Sequence, residues 1–333
     1  MSCTHGVDRY PKHRLIVFAA AGQIAFRDEA LFNRRVEASM TSFHFVQSST
    51  HWKRIGRDQM HRWPHYRYLD SGAFTFLRRA EGSRTGNSSQ PTQQAAKAKE
   101  KDAIIDESEF LPFYQKYAAY LRDHLDDWDY VFELDVDTTM LRRRDGSLID
   151  GVTVSRRARA KLRDIAGDKL IPVWHPTIDP HPPYPEFQKL IDDGYGYIGI
   201  GSDVSPNDRS LRYVIDMAHH AGVLVHGLGA TRVETLERTP FDTVDSTTWL
   251  SSVRFGQFAG TVYSTRQNMS PAALAKLRHF EALVRKLGYD PEALLTDGCT
   301  QTEKYEVAVA LMQKRQSAVS AVPPPIMMEA LLP

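Results

Sequence analysis

Short apolar runs bounded by polar, Gly or Pro residues recur at Leu15 to Ala20, Ser42 to Val46, Tyr66 to Leu69, Tyr130 to Leu134, Leu170 to Trp174, Tyr197 to Ile200, Val223 to Val225 and Thr243 to Val244. Runs of this kind read as strands covered on both faces. Stretches with helical spacing lie between them, at Phe110 to Leu125, Val154 to Ile165, Leu211 to His220 and Arg232 to Leu236. Alternation of strand and helix without hairpin turns predicts parallel strands joined by crossover helices. No Gly-rich dinucleotide fingerprint follows the first run, so the expected fold is α/β, a (β/α)8 TIM barrel rather than an open doubly wound sheet. The barrel is expected over residues 1–265. Ala80 to Ala103 holds almost nothing that could enter a core, so 80–103 reads as a flexible insertion after strand three, either a solvated loop with no role of its own or a lid or nucleic-acid clamp over the C-terminal face. Ser270-Pro271 opens a helix that Gly288 stops, and Thr302 to Arg315 forms another, giving a C-terminal helical extension over 266–320 and an unassigned tail over 321–333.

Composition narrows the classes. The 333 residues are 42% hydrophobic and 25% charged, which excludes collagen-like, wholly disordered and coiled-coil chains. No apolar run approaches the ~20 residues of a membrane span, and the first residues lack the apolar stretch of a signal peptide. The expected location is the cytoplasm. Only Cys3 and Cys299 are present, too few for a disulfide framework or a four-cysteine zinc site. The net charge of +1 does not advertise a polyanion binder, so charge has to be read locally. Between His51 and Arg67, the cations Lys53, Arg54, Arg57, Arg62 and Arg67 face one acid, Asp58, and are interleaved with Trp52, Trp63 and Tyr66. Cations for phosphates and flat rings for bases suit a nucleic-acid strand. Arg78 and Arg79 add charge where the insertion begins, and Arg142 to Arg144 form a further cluster.

The residues that follow each strand carry the chemistry. Strand two holds His44, strand three ends in Asp70-Ser71-Gly72, and strand four in Asp135-Val136-Asp137. The next four end in His175-Pro176, Gly199-Ile200-Gly201, His226-Gly227-Leu228-Gly229 and Asp245-Ser246-Thr247. Carboxylates at the ends of apolar strands are costly unless paired, so a ring of them asks for a function. Two chemistries fit. His44, His175, His226 and Asp245 could ligate a water-activating metal in a barrel hydrolase. In a metal-free alternative, one carboxylate attacks a sugar anomeric carbon while another moves the proton of the base. Gly72, Gly201 and Gly229 would let a planar base approach the backbone.

The order of these motifs resembles the tRNA-guanine transglycosylase superfamily, and more closely its short phage-type relatives, the DpdA-type enzymes that exchange guanine in DNA for a 7-deazaguanine base. YLDSGAF at Tyr68 to Phe74 resembles the family's DSGG segment, and VDSTTWLSSVRFG at Val244 to Gly256 lies on its FDCVLPTR segment. FELDVD, GYIGIGS at Gly196 to Ser202, HGLGA at His226 to Ala230 and SFHF at Ser42 to Phe45 are similar to further family strands. The resemblance spans Leu15 to Gly256 and implies a pentosyltransferase. Asp245 is then the nucleophile, with Asp242 as the alternative three residues earlier, and Asp70 the group that handles the proton of the departing and entering base. Asp135, His175, Gly201, Ser202, Ser71, Gly72, His226 and Gly227 would bind the base, His175 standing where the family has a glutamine. The partners implied are guanine-containing DNA with a flipped or single-stranded nucleotide and a free 7-deazaguanine base such as preQ0, with a homodimer as the oligomer considered and no membrane. No metal and no cofactor are implied, because one N-glycosidic bond replaces another. The family's CxCxxC zinc cluster is absent from the sequence, which favours DNA over tRNA as the substrate.

Overall fold

The computed structural model describes residues 14–20, 25–47, 66–73, 75–77, 104–201, 208–230, 232–247, 249–250, 253, 257–258, 261–262, 270–295 and 298–320. Nine strands form one sheet: β1 (Leu15–Ala20), β2 (Ala38–Ser42), β3 (Tyr66–Asp70), β5 (Tyr130–Phe132), β8 (Leu170–Ile171), β9 (Val173–Trp174), β10 (Tyr197–Ile200), β11 (Leu224–Gly227) and β12 (Thr243–Ser246). Their order is β8-β5-β3-β2-β1-β12-β11-β10-β9, and every pairing is parallel. The two strands at the ends of that order are neighbours in sequence, separated by Pro172 alone. The sheet therefore curls round until its edges meet at one segment and is nearly closed into a barrel. Proline has no N–H to give a ladder, which explains the break. The Pro172 carbonyl still accepts from Gly199 N at 2.8 Å and stitches the seam.

Side chains alternate across this sheet with period two. Leu15, Val17, Ala19, Tyr68, Tyr130, Phe132 and Tyr197 pack together on one face, inside the barrel. Ile16, Phe18, Leu69, Val131, Ile198, Val225 and Val244 point the other way and meet the surrounding helices. Both faces are buried, which is why the strands read as unbroken apolar runs. Helices follow the strands at Glu107–His124, Gly151–Ala166, Pro185–Asp192, Asp208–His220 and Val233–Arg238. Asp150 caps the second of these, its side chain accepting from Thr153 N. The C-terminal helix Gln301–Ser320 joins the main core through Tyr305, Ala308, Val309 and Met312, and its Gln316 side chain accepts from Ile16 N on β1 at 3.2 Å.

Two expectations are corrected. The second strand is Ala38–Ser42, and Phe43–Val46 is a helical turn, so His44 lies beyond the strand rather than on it. The buried alternation runs through Ala38, Met40 and Ser42, whose polar neighbours kept the segment from reading as an apolar run. A hairpin is present as well: β6 (Met140–Arg142) and β7 (Leu148–Asp150) pair antiparallel, with β4 (Ile104–Asp106) alongside β6. Its turn closes with Arg143 N donating to Ser147 O at 2.8 Å, and Arg143 and Arg144 stand exposed at its tip. The insertion at 80–103 lies outside the described residues.

Candidate active site

Period two carries the key carboxylates to the barrel mouth. Tyr68 and Asp70 share one face of β3, and Thr243 and Asp245 share one face of β12, so each aspartate stands one layer above a buried side chain at the carboxyl end of its strand. Asp70 is walled in by protein although its edge still reaches solvent. Desolvation pushes it up to about 6, against the pull of the Ser42 hydroxyl and the Gly72 N–H, and the charges of Asp245 and Asp135 add to the rise. Asp70, Asp245 and Asp135 thus occupy one electrostatic neighbourhood. Gly72 makes the corner possible. Its φ is +80°, and a Cβ there would stand 2.9 Å from His44 Cβ and 3.1 Å from Ser42 Oγ.

Asp245 is held from one side. Its Oδ1 accepts from Gly229 N at 2.8 Å and faces His226 Nε2 at 3.2 Å, while among the described residues Oδ2 has no partner. His226 is fully buried, and its Nδ1 lies 2.6 Å from Thr243 Oγ1. Asp135 Oδ2 lies 2.6 Å from His175 Nε2. Behind this pair, Glu133 is fully buried, takes Arg159 Nε at 2.8 Å and accepts from Val173 N. Desolvation pushes Glu133 upward against the pull of Arg159, and desolvation also raises Asp137, opposed by His175 and the Ser155 hydroxyl.

The structure redistributes several of the expected base-binding residues. His226 spends both ring nitrogens inside the protein and supports Asp245 rather than facing the mouth. Gly227 is sealed, since a Cβ there would lie 2.9 Å from Ala230 Cβ and 3.0 Å from the Phe241 ring. The Gly201 N–H donates to Trp174 O at 2.8 Å and is consumed by the barrel ladder. Ser71 is buried and its hydroxyl accepts from Ala73 N at 3.4 Å, where a short helix begins. Arg67, expected on phosphates, lies near the opposite end of β3 and grips Asp129 at 3.1 Å, with its backbone N–H on the same carboxylate. Asp242 precedes β12, at the other end of the strand from Asp245, and accepts from Val225 N at 2.7 Å. Ser202, Lys53, Arg54, Arg57, Arg62, Arg78 and Arg79 lie outside the described residues.

For the alternative ligand set of His44, His175, His226 and Asp245, the described residues contain no group of three His, Cys, Asp or Glu side chains placed to hold a metal ion. Sequence reasoning passed over Tyr68, Tyr197, Thr243, Glu133 and Arg159. For Tyr68 and Thr243 a signal was available, since they sit two positions before the aspartates and so share their face, and for Tyr197 there was none. No helix among the described residues is long and apolar enough to cross a membrane. No protein-family model matches the chain, and no curated protein matches it.

Proposed function

We propose that the protein is a base-exchange transglycosylase that replaces guanine in DNA with a 7-deazaguanine derivative, on a (β/α)8 barrel of the tRNA-guanine transglycosylase kind. The eightfold reading is supported by counting Leu170 to Trp174 as one strand interrupted at Pro172. The observation that carries the function is the meeting of Asp70, Asp135 and Asp245 in one field at the strand ends, each in a different environment. Asp245, with Oδ1 pinned and Oδ2 open, suits attack on C1′ of an unstacked nucleotide. The C1′–N9 bond breaks as the C1′–Oδ2 bond forms, its electron pair leaves with guanine, and protonated Asp70 supplies the proton. A value near 6 lets Asp70 exist in both forms close to neutrality. The incoming base then gives its N9 proton to Asp70, and N9 displaces Asp245 from C1′ with net retention. Asp135, braced by His175, is left to accept from the N1–H and amino group of the base.

Incubation with guanine-containing DNA, and separately with tRNA, plus 7-cyano-7-deazaguanine tests the reading by nucleoside mass spectrometry. The modified deoxynucleoside is expected with the wild-type protein and absent with Asp245→Ala. A modified ribonucleoside instead would move the substrate to tRNA, and no exchange on either by folded protein would overturn the proposal.

A further inference from the structure

Beneath Asp245 a line of buried polar groups crosses the barrel interior. Tyr68 OH lies 3.3 Å from Tyr197 OH, Tyr197 OH bonds Thr243 Oγ1, Thr243 Oγ1 lies 2.6 Å from His226 Nδ1, and His226 Nε2 lies 3.2 Å from Asp245 Oδ1. Tyr68, Thr243 and His226 are fully buried and Tyr197 nearly so, amid Tyr130 and Phe132. Apolar side chains would fill this space without any desolvation cost, so a polar line in the barrel centre calls for a reason.

The line has one consistent polarity. Burial drives the phenols of Tyr68 and Tyr197 upward, so both keep their protons. Each hydroxyl has one proton to give. If Tyr68 donates to Tyr197, Tyr197 to Thr243, and Thr243 to His226 Nδ1, the imidazole carries its proton on Nε2 and donates it to Asp245. Every proton then has an acceptor. Reversed, the line would leave the Tyr68 proton without an acceptor among the described residues. With a neutral imidazole it would also require Asp245 to donate from the oxygen that already accepts from Gly229 N.

We propose that His226 is a positioning residue, fixed as its Nε2–H tautomer by the Thr243 hydroxyl and the two phenols behind it, that pins Asp245 through Oδ1 and leaves Oδ2 free to react. What Oδ2 attacks rests on the base-exchange reading, whereas the tautomer and the pinning do not.

Nitrogen-15 NMR of histidine-labelled protein, with the His226 signals assigned by their loss in His226→Gln, reads the tautomer directly. Nε2–H is expected in the wild type, a mixture of tautomers in Thr243→Val, and recovery in Thr243→Ser. In parallel, the covalent adduct with guanine-containing single-stranded DNA should form a few-fold more slowly in Thr243→Val, in step with the fraction of His226 that leaves the Nε2–H tautomer, with DNA affinity unchanged. Thr243→Ser should restore the rate, and Tyr197→Phe, one link further back, should leave rate and tautomer near those of the wild type. An Nδ1–H tautomer in the wild type, or a Thr243→Val protein with the wild-type tautomer and adduct rate, would overturn the inference. If wild-type protein forms no adduct while the tautomers behave as expected, the positioning of Asp245 stands and the base-exchange reading falls.

Discussion

Asp70→Asn is expected to stabilise the fold and, on the proposed function, to abolish base exchange. The folded chain holds Asp70 at about 6 against an ordinary 3.8, so ionising it costs about 3 kcal/mol more in the folded than in the unfolded state, at 1.36 kcal/mol per tenfold. The sign follows from proton binding. Between those two values the folded state binds the proton and the unfolded state does not, so stability falls as pH rises from about 4 through about 6, and the full penalty is present above that. Asparagine is uncharged and fits the same contacts, its oxygen accepting from Gly72 N–H and its amide donating to the Ser42 hydroxyl, which has no other partner among the described residues. The gain should be about 3 kcal/mol at pH 7.5 and about half that at pH 5. With an unfolding entropy of roughly 2.1 cal/mol/K per residue over 333 residues, the pH 7.5 gain corresponds to a rise in Tm of about 4 °C. Urea unfolding at both pH values measures it. A variant less stable than wild type at pH 7.5, or one whose gain is the same at pH 5, would refute the desolvated-carboxylate argument.

Two further substitutions probe the frame around the site. Gly72→Ala should lose roughly 2–4 kcal/mol, because the residue sits at φ +80° and its Cβ would press on His44 and Ser42; an unchanged urea midpoint would contradict that. Arg159→Met leaves Glu133 buried without its cation, and the cheapest escape is for Glu133 to take up a proton. The wild type itself holds Glu133 at about 7, so the extra cost in the variant falls above that pH, where only the wild type keeps the charge paired, and the destabilisation read by urea unfolding should shrink toward zero as pH falls below it. A pH-independent loss would show that Glu133 finds another partner.

Much of the barrel was legible because parallel strands buried on both faces leave uninterrupted apolar runs: Leu15 to Ala20 and Tyr197 to Ile200 coincide with β1 and β10 to the residue. The second strand was misplaced because its outward positions, Ser39 and Thr41, are polar while the helical turn after it, Phe43–Val46, is apolar, and hydrophobicity alone cannot tell strand from turn in so short a run. The hairpin was hidden in Arg142 to Arg144, which read as a charge cluster although Asp145-Gly146 is a strong turn signal. At the site, the aspartates were visible as carboxylates ending apolar strands. The face that Tyr68 and Thr243 share with them was legible too, but the meeting of Tyr68, Tyr197 and Thr243 was not, because it exists only once the barrel brings three strands together across its interior.

On the proposed function, the environments of the acids at these strand ends separate their chemical parts. Asp70 is desolvated and pushed toward neutrality, as a group that must gain and lose a proton in each turnover would be. Among the described residues Asp245 has two donors on one oxygen and none on the other, an arrangement that keeps a carboxylate oriented and one lone pair available. Asp135 is braced by an imidazole and keeps an oxygen for hydrogen bonding. Asp242 shows what a structural acid looks like in the same chain: it precedes its strand and is bound by Val225 N and by His219 Nε2 at 2.9 Å. Asp245 lies three positions after Asp242, about 10 Å of extended chain, and that distance carries the carboxylate from one end of β12 toward the other. The preference for Asp245 as nucleophile therefore rests on the direction of β12 rather than on motif register alone.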